Sequence, residues 1–265
     1  MYLYTYLSLQ SFVEGCNVSG GENALVLQAE NLLHAVPSKE YQYGLSLLRK
    51  AIRLYEEQKG ISLEKSKQDI PFFREKRRLL IGPELDIYKL SFYADEHVIT
   101  SQLQLVEHPY LKLAFDYEQL AEHCLFENMF LIRCKYDEEE VVKNFVSQMD
   151  REYDKFFYDE EHSGFTADSH FFSLLYNACL EVKEPRFAGE QEWRLAVLRS
   201  PSEVDYRYAD GKLTASLPLS LPLASIRRVT FPDHESDELN YSALAGFMQH
   251  IGLFPERYLE RLLEE

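Results

Sequence analysis

F-A-G-E-Q-E-W-R-L-A-V-L, Phe187 to Leu198, holds the one tryptophan of the chain, Trp193, and alternates in the manner of a strand. Glu192, Arg194 and Ala196 fall on one side, Trp193, Leu195 and Val197 on the other, the two-residue period of extended backbone. An apolar row that includes the largest side chain has to face a core, so Trp193 is expected to be buried. Glu192 and Arg194 are left side by side on the opposite face, where the plain expectation is an ion pair on a half-exposed strand. Tight turns at both flanks predict that this strand is central in its sheet.

Working outward, the other strands fall at Tyr2–Leu7, Ile87–Phe92, Tyr110–Phe115, Met129–Tyr136 and Ile226–Phe231. Asp210-Gly211 predicts a hairpin between Tyr206–Ala209 and Lys212–Ser216. Helices are expected after Ser38, with Tyr41, Leu45, Leu48, Ile52 and Tyr55 on one face and Gly60 as the stop. Asp137 opens another, with Glu138, Glu139 and Glu140 in its first turn and Val142, Phe145, Met149, Tyr153 and Phe156 as its stripe. Further helices start near Asp168, Ser236 and Pro255, and Leu9–Glu14 makes a short helical turn. Ala24–His34 fits either period. Strands and helices interleave without a strict βαβ rhythm, which favours an α+β fold. With no repeat and no low-complexity linker, the expectation is a single mixed domain over residues 1–265, a central sheet flanked by helices.

Composition narrows the function. A formal net charge of −16 disfavours general binding to nucleic acid or to an anionic membrane, both of which need a basic surface. The basic run from Lys65 to Arg78, with Phe72 and Phe73 inside it, reads as a solvated linker around a buried phenylalanine pair. Four scattered cysteines, no secretion signal at the start and no apolar run of membrane length predict a soluble cytoplasmic protein. Phosphate-binding glycine loops, a G-x-S-x-G elbow and H-E-x-x-H pairs are all missing, so a serine hydrolase or metalloenzyme is disfavoured. No cofactor is demanded by the motifs.

Several segments, in order, resemble the bacterial family known as domain of unknown function 2971. They are L-Y-T-Y-L-S-L-Q-S-F at Leu3–Phe12, the E-x-x-Y-G of Glu40–Gly44, and Ser91-Phe92 followed by L-K-L-A-F-D at Leu111–Asp116. The most specific is V-K-E-P-R-F-A-G-E-Q-E-W-R-L at Val182–Leu195, similar to a K-x-x-x-F-x-x-E-x-E-W-R signature. The chain departs from that pattern at Thr5, at Pro37-Ser38-Lys39, and between Phe92 and Leu111.

The resemblance leaves two functions open. The layout of strands resembles that of ADP-ribosyltransferases, which implies NAD as substrate and Glu192 as the catalytic carboxylate that stabilises positive charge on the ribose. Tyr4, Tyr6, Ser91 and Arg194 would then bind the substrate, with the Tyr4–Tyr6 strand lying beside the Glu192 strand. The departures favour the other function, a non-catalytic or pseudoenzymatic interaction module with a protein partner, in bacterial defence or stress response.

Overall fold

Alternating stretches of the chain become strands of one mixed sheet. The computed structural model describes residues 1–18, 23–32, 40–60, 87–94, 110–157, 170–209, 211–232 and 238–262. Its strands are Tyr2–Ser8 (β1), Ala24–Asn31 (β2), Ile87–Tyr93 (β3), Tyr110–Asp116 (β4), Phe130–Arg133 (β5), Glu192–Leu198 (β6), Asp205–Ala209 (β7), Lys212–Pro222 (β8), Ile226–Pro232 (β9) and Leu259–Leu262 (β10). They run in the order β10-β9-β4-β1-β3-β2-β8-β7, with β6 branching from β3 and pairing in turn with β5. β10 lies parallel to β9, whereas β1, β2 and β4 meet their neighbours antiparallel, as β6 meets β3. Helices are Leu9–Val18 (α1), Glu40–Lys59 (α2), Tyr117–Phe126 (α3), Glu138–Phe157 (α4), His170–Glu181 (α5), Glu238–His250 (α6) and one turn at Pro255–Tyr258 (α7). The fold class is α+β, as the interleaved elements imply.

The chain forms two compact units. One comprises Met1–Asn31, Ile87–Leu131 and Gly189–Glu265, and carries the sheet. The other comprises Leu32–Asp86 and Ile132–Ala188, and carries α2, α4 and α5.

In the sheet unit one face is largely apolar. Leu3 and Leu7 of β1, Leu111, Leu113 and Phe115 of β4, Phe92 of β3 and Leu195 and Val197 of β6 share a core with Phe12 of α1, Leu120 of α3 and Met248 of α6. Each such fully buried side chain contributes about 1.5–3 kcal/mol. Trp193 packs on this core only partly buried, with its ring edge-on to Tyr117 at 5.2 Å.

α3 starts at Asp116, whose carboxylate accepts the backbone N–H groups of Glu118 and Gln119 at 3.1 and 3.2 Å. The Gln119 N–H, and then the Arg227 guanidinium 3.4 Å away, hold the Asp116 carboxyl below the ordinary aspartate value. A depressed folded value means that this stabilisation is present above the unfolded aspartate value and is lost as pH falls through the folded one. Asp116→Ala is expected to cost about 1 kcal/mol at neutral pH. The deficit, read as the difference between the two urea midpoints, should close as the buffer is acidified; an equal deficit at every pH would mean that the cap is not an ionised carboxylate.

In the helical unit α2 packs on both α4 and α5. Leu45, Leu48 and Ile52 of α2, Val142, Phe145 and Met149 of α4 and Leu175, Ala178 and Cys179 of α5 are buried. The E-x-x-Y-G segment holds these helices together. Glu40 meets Lys183 at 3.3 Å, with both side chains buried, and the Tyr43 hydroxyl donates to Glu138 at 2.6 Å. Burial first, then the Glu138 carboxylate, push the Tyr43 hydroxyl up from its ordinary value. Gly44 sits so close to α5 that a Cβ there would lie 1.7 Å from the Ala178 carbonyl oxygen. Asp137 caps α4 by accepting the Glu140 N–H at 2.9 Å.

Several expectations need correction. β6 is a branch and not the centre of the sheet, because β3 takes partners along both edges and β6 uses only one of them. The Tyr4–Tyr6 strand does not lie beside Glu192, since β3 stands between. Trp193 is half-buried. The Met129–Tyr136 strand shortens to β5, and after Pro255 the helix stops after one turn to become β10. Ala24–Asn31 is a strand. β8 runs six residues past Ser216, through Pro218, in the half of the strand that β7 does not reach, where a missing N–H can face the open side. The caps at Ser38, Asp168 and Ser236, the Lys65–Arg78 segment and the side chains of Tyr153 and Phe156 lie outside the described residues.

Candidate functional site

The face of the sheet opposite the apolar core is polar, and its register can be read across four strands. Ser91 of β3 stands opposite Arg194 of β6, and Tyr93 opposite Glu192. Tyr93 is in turn opposite Tyr4 of β1, Tyr4 is opposite Ala114 of β4, and Tyr6 is opposite Lys112. Directly opposed residues share a face. Glu192, Arg194, Lys89, Ser91, Tyr93, Tyr4, Tyr6, Lys112 and Tyr110 therefore belong to one surface of the sheet unit.

At one end is a tight ionic cluster. Gln191 enters it in the left-handed region, φ 45°, with its carbonyl accepting the Ala94 N–H at 3.2 Å, and this extends the β3–β6 ladder up to Glu192. Glu192 is 1% exposed and Arg194 0%. The Arg194 Nε donates to Glu192 Oε1 at 3.1 Å and its Nη2 to Oε2 at 3.2 Å, a two-pronged clamp between residues two apart on one strand. Ser91 donates its hydroxyl proton to Oε1 at 2.7 Å. Lys89 donates to Ser91 Oγ at 3.1 Å and reaches Oε1 at 3.5 Å. Thr5 braces the same strand, its hydroxyl donating to the Ser91 carbonyl at 3.1 Å.

At the other end the surface is aromatic and cationic. The Lys112 ammonium lies 6.0 Å from the Tyr4 ring centre. Tyr6 is flanked by Tyr93 and Tyr110, with ring centres 6.3 and 6.5 Å away and tilted planes. The row Tyr4–Tyr93–Glu192 spans two strand spacings, about 9–10 Å.

Of the residues singled out in the sequence, Glu192, Arg194 and Ser91 come together in hydrogen-bonding contact. Tyr4 and Tyr6 share their face, two strands away from Glu192. The ion pair is not half-exposed, since its two members are more deeply buried than Trp193. Lys89 and Lys112 were missed. Both occupy the third position of similar runs, I-Y-K-L-S-F and Y-L-K-L-A-F, and the two-residue period puts Lys89 on the face of Ser91. Among the described residues no three or more His, Cys, Asp or Glu side chains are grouped to hold a metal ion. No described helix is long and apolar enough to cross a membrane.

A family model described as protein of unknown function (DUF2971) matches residues 53–195, a span that ends just past Glu192 and Arg194. No curated protein and no solved structure matches the chain.

Proposed function

We infer that this chain, which belongs to the domain of unknown function 2971 family, works as a non-catalytic interaction module in which Glu192 stabilises the sheet and performs no chemistry. The engagement of that carboxylate carries the reading. A glutamate that stabilises positive charge on a ribose has to turn an oxygen towards the ligand. Here Oε1 accepts from Ser91, Arg194 and Lys89, Oε2 accepts from Arg194, and the residue is 1% exposed.

A protein partner is the chemistry that suits the outer surface. Among the described residues β7 is the last strand in the order and an edge of the sheet, and Tyr208 on it stands directly opposite Leu213 of β8, 75% and 59% exposed. An edge strand with exposed aromatic and aliphatic side chains fits an extended segment of another protein added alongside β7. A role in bacterial defence or stress response belongs to the same proposal and rests on the resemblance alone.

The competing function, NAD cleavage of the ADP-ribosyltransferase kind, draws on the Ser91–Glu192 contact and on Tyr4 and Tyr93 in the row leading to Glu192. Purified protein with NAD separates the two. The expected result is no nicotinamide release and no change of melting temperature. Release by the parent that falls about a hundredfold or more in Glu192→Gln, as when other charge-stabilising groups are removed, would replace the interaction reading with the enzymatic one.

A further inference from the structure

Thr230 of β9 is 5% exposed, and its Oγ1 makes no hydrogen bond. A buried hydroxyl left without a partner lowers stability, so its persistence asks for a ligand that supplies one. Ser216 Oγ is in the same condition on β8, but it stands opposite Glu30 and Asp205 and no cation faces it in the ladder. Thr230 differs in its neighbours.

In the register Thr230 stands directly opposite Lys112, itself 7% exposed. Lys112 lies over the Tyr4 ring. The next residue on that face of β4 is Ala114, which offers only a methyl group between Tyr4 on one side and Arg228 on the other. The carboxylate facing Thr230 from β10 is Glu260, whose side chain is 59% exposed and meets Arg228 at 3.5 Å. A hydroxyl able to donate thus stands beside a lysine and close to an arginine, both of which only donate.

We propose that Lys112 and Thr230, with Ala114 as floor and Tyr4 as side wall, bind a small oxyanion, the carboxylate or phosphate group of a ligand. The Thr230 hydroxyl donates one hydrogen bond to it and the Lys112 ammonium a charge-assisted one. The tyrosine ring keeps the ammonium directed along the sheet face. Arg228 supplies a second positive charge on the far side of Ala114. This site lies on strands β4 and β9, and it holds or fails independently of what Glu192 does.

Inorganic phosphate and acetate are the probes, compared with chloride at equal ionic strength. A saturable rise in melting temperature is expected with at least one of the two oxyanions and not with chloride, and which one gives it assigns the group as phosphate or carboxylate. Thr230→Val keeps the shape and removes the orphan hydroxyl. Without probe it should melt no lower than the parent, and it should bind the oxyanion roughly tenfold or more weakly. Lys112→Met should abolish the effect; if that variant does not fold, the valine variant still decides. No saturable stabilisation by either oxyanion, or parental affinity in Thr230→Val, would overturn the site.

Discussion

Glu192→Leu is expected to lower the free energy of unfolding by about 3–5 kcal/mol, the cost of leaving a buried charge without its counter-charge. That is a large part of the roughly 5–15 kcal/mol by which a domain is stable. Arg194 is among the largest of the fully buried side chains in the described residues, and both its Nε and its Nη2 donate to the Glu192 carboxylate. Lys89, nearly as deep, reaches the same oxygen. Removing the carboxylate therefore takes one anionic partner from two buried cations. Arg194→Met should cost less, because Ser91 and Lys89 still hold Glu192. The double variant Glu192→Leu with Arg194→Met should recover much of the loss, since apolar replacements of a buried pair are often neutral. Urea unfolding of the three variants tests the order. A single Glu192 variant within about 1 kcal/mol of the parent would place the pair among surface salt bridges, contrary to its burial.

Gly44→Ala should destabilise by about 1–3 kcal/mol or more, while the same change at Gly246 should stabilise by about 0.5–1 kcal/mol. In an open helix, alanine is the better residue, and Gly246 of α6 has nothing within 4 Å of the Cβ it would gain. At Gly44 the added methyl group would lie 1.7 Å from the Ala178 carbonyl oxygen and 2.7 Å from its carbon. Backbone cannot turn aside as a long side chain can, so α2 and α5 would have to move apart. Melting temperatures of the two variants should shift in opposite directions. A shift of the same sign in both would show that the close approach of α2 to Ala178 yields easily.

Much of the local structure is legible in the sequence because it depends on neighbours a few residues away. The period of E-W-R-L-A-V-L places Glu192 and Arg194 on one face, and they are indeed paired. Asp137 followed by three glutamates marks the start of α4. What lies between distant segments is not legible. Alternation says which residues share a face but not whether water reaches that face, so Glu192 and Arg194 read as half-exposed while the fold buries them. The same limit hid Lys89 and Lys112, since a lysine in a strand is ordinarily taken as solvated. Strand order is not legible for a related reason. β3 becomes the hub by pairing with β1, β2 and β6, and none of those pairings leaves a mark within seven residues of sequence.

The route of the chain through the sheet sets the conditions under which it can be made. Leu25 of β2 pairs with Leu221 of β8, and Leu113 of β4 with Val229 of β9. On a ribosome adding about 5–20 residues per second, β2 emerges on the order of ten seconds or more before β8 exists. During that interval one side of β2, and then one side of β4, is an open edge whose partner strand does not yet exist. Such a nascent chain has a non-local, slowly closing topology and a strong tendency to associate with its neighbours. Its yield in the cell should therefore depend on chaperones that hold the early strands, and on growth temperature, more than on the stability of the finished protein.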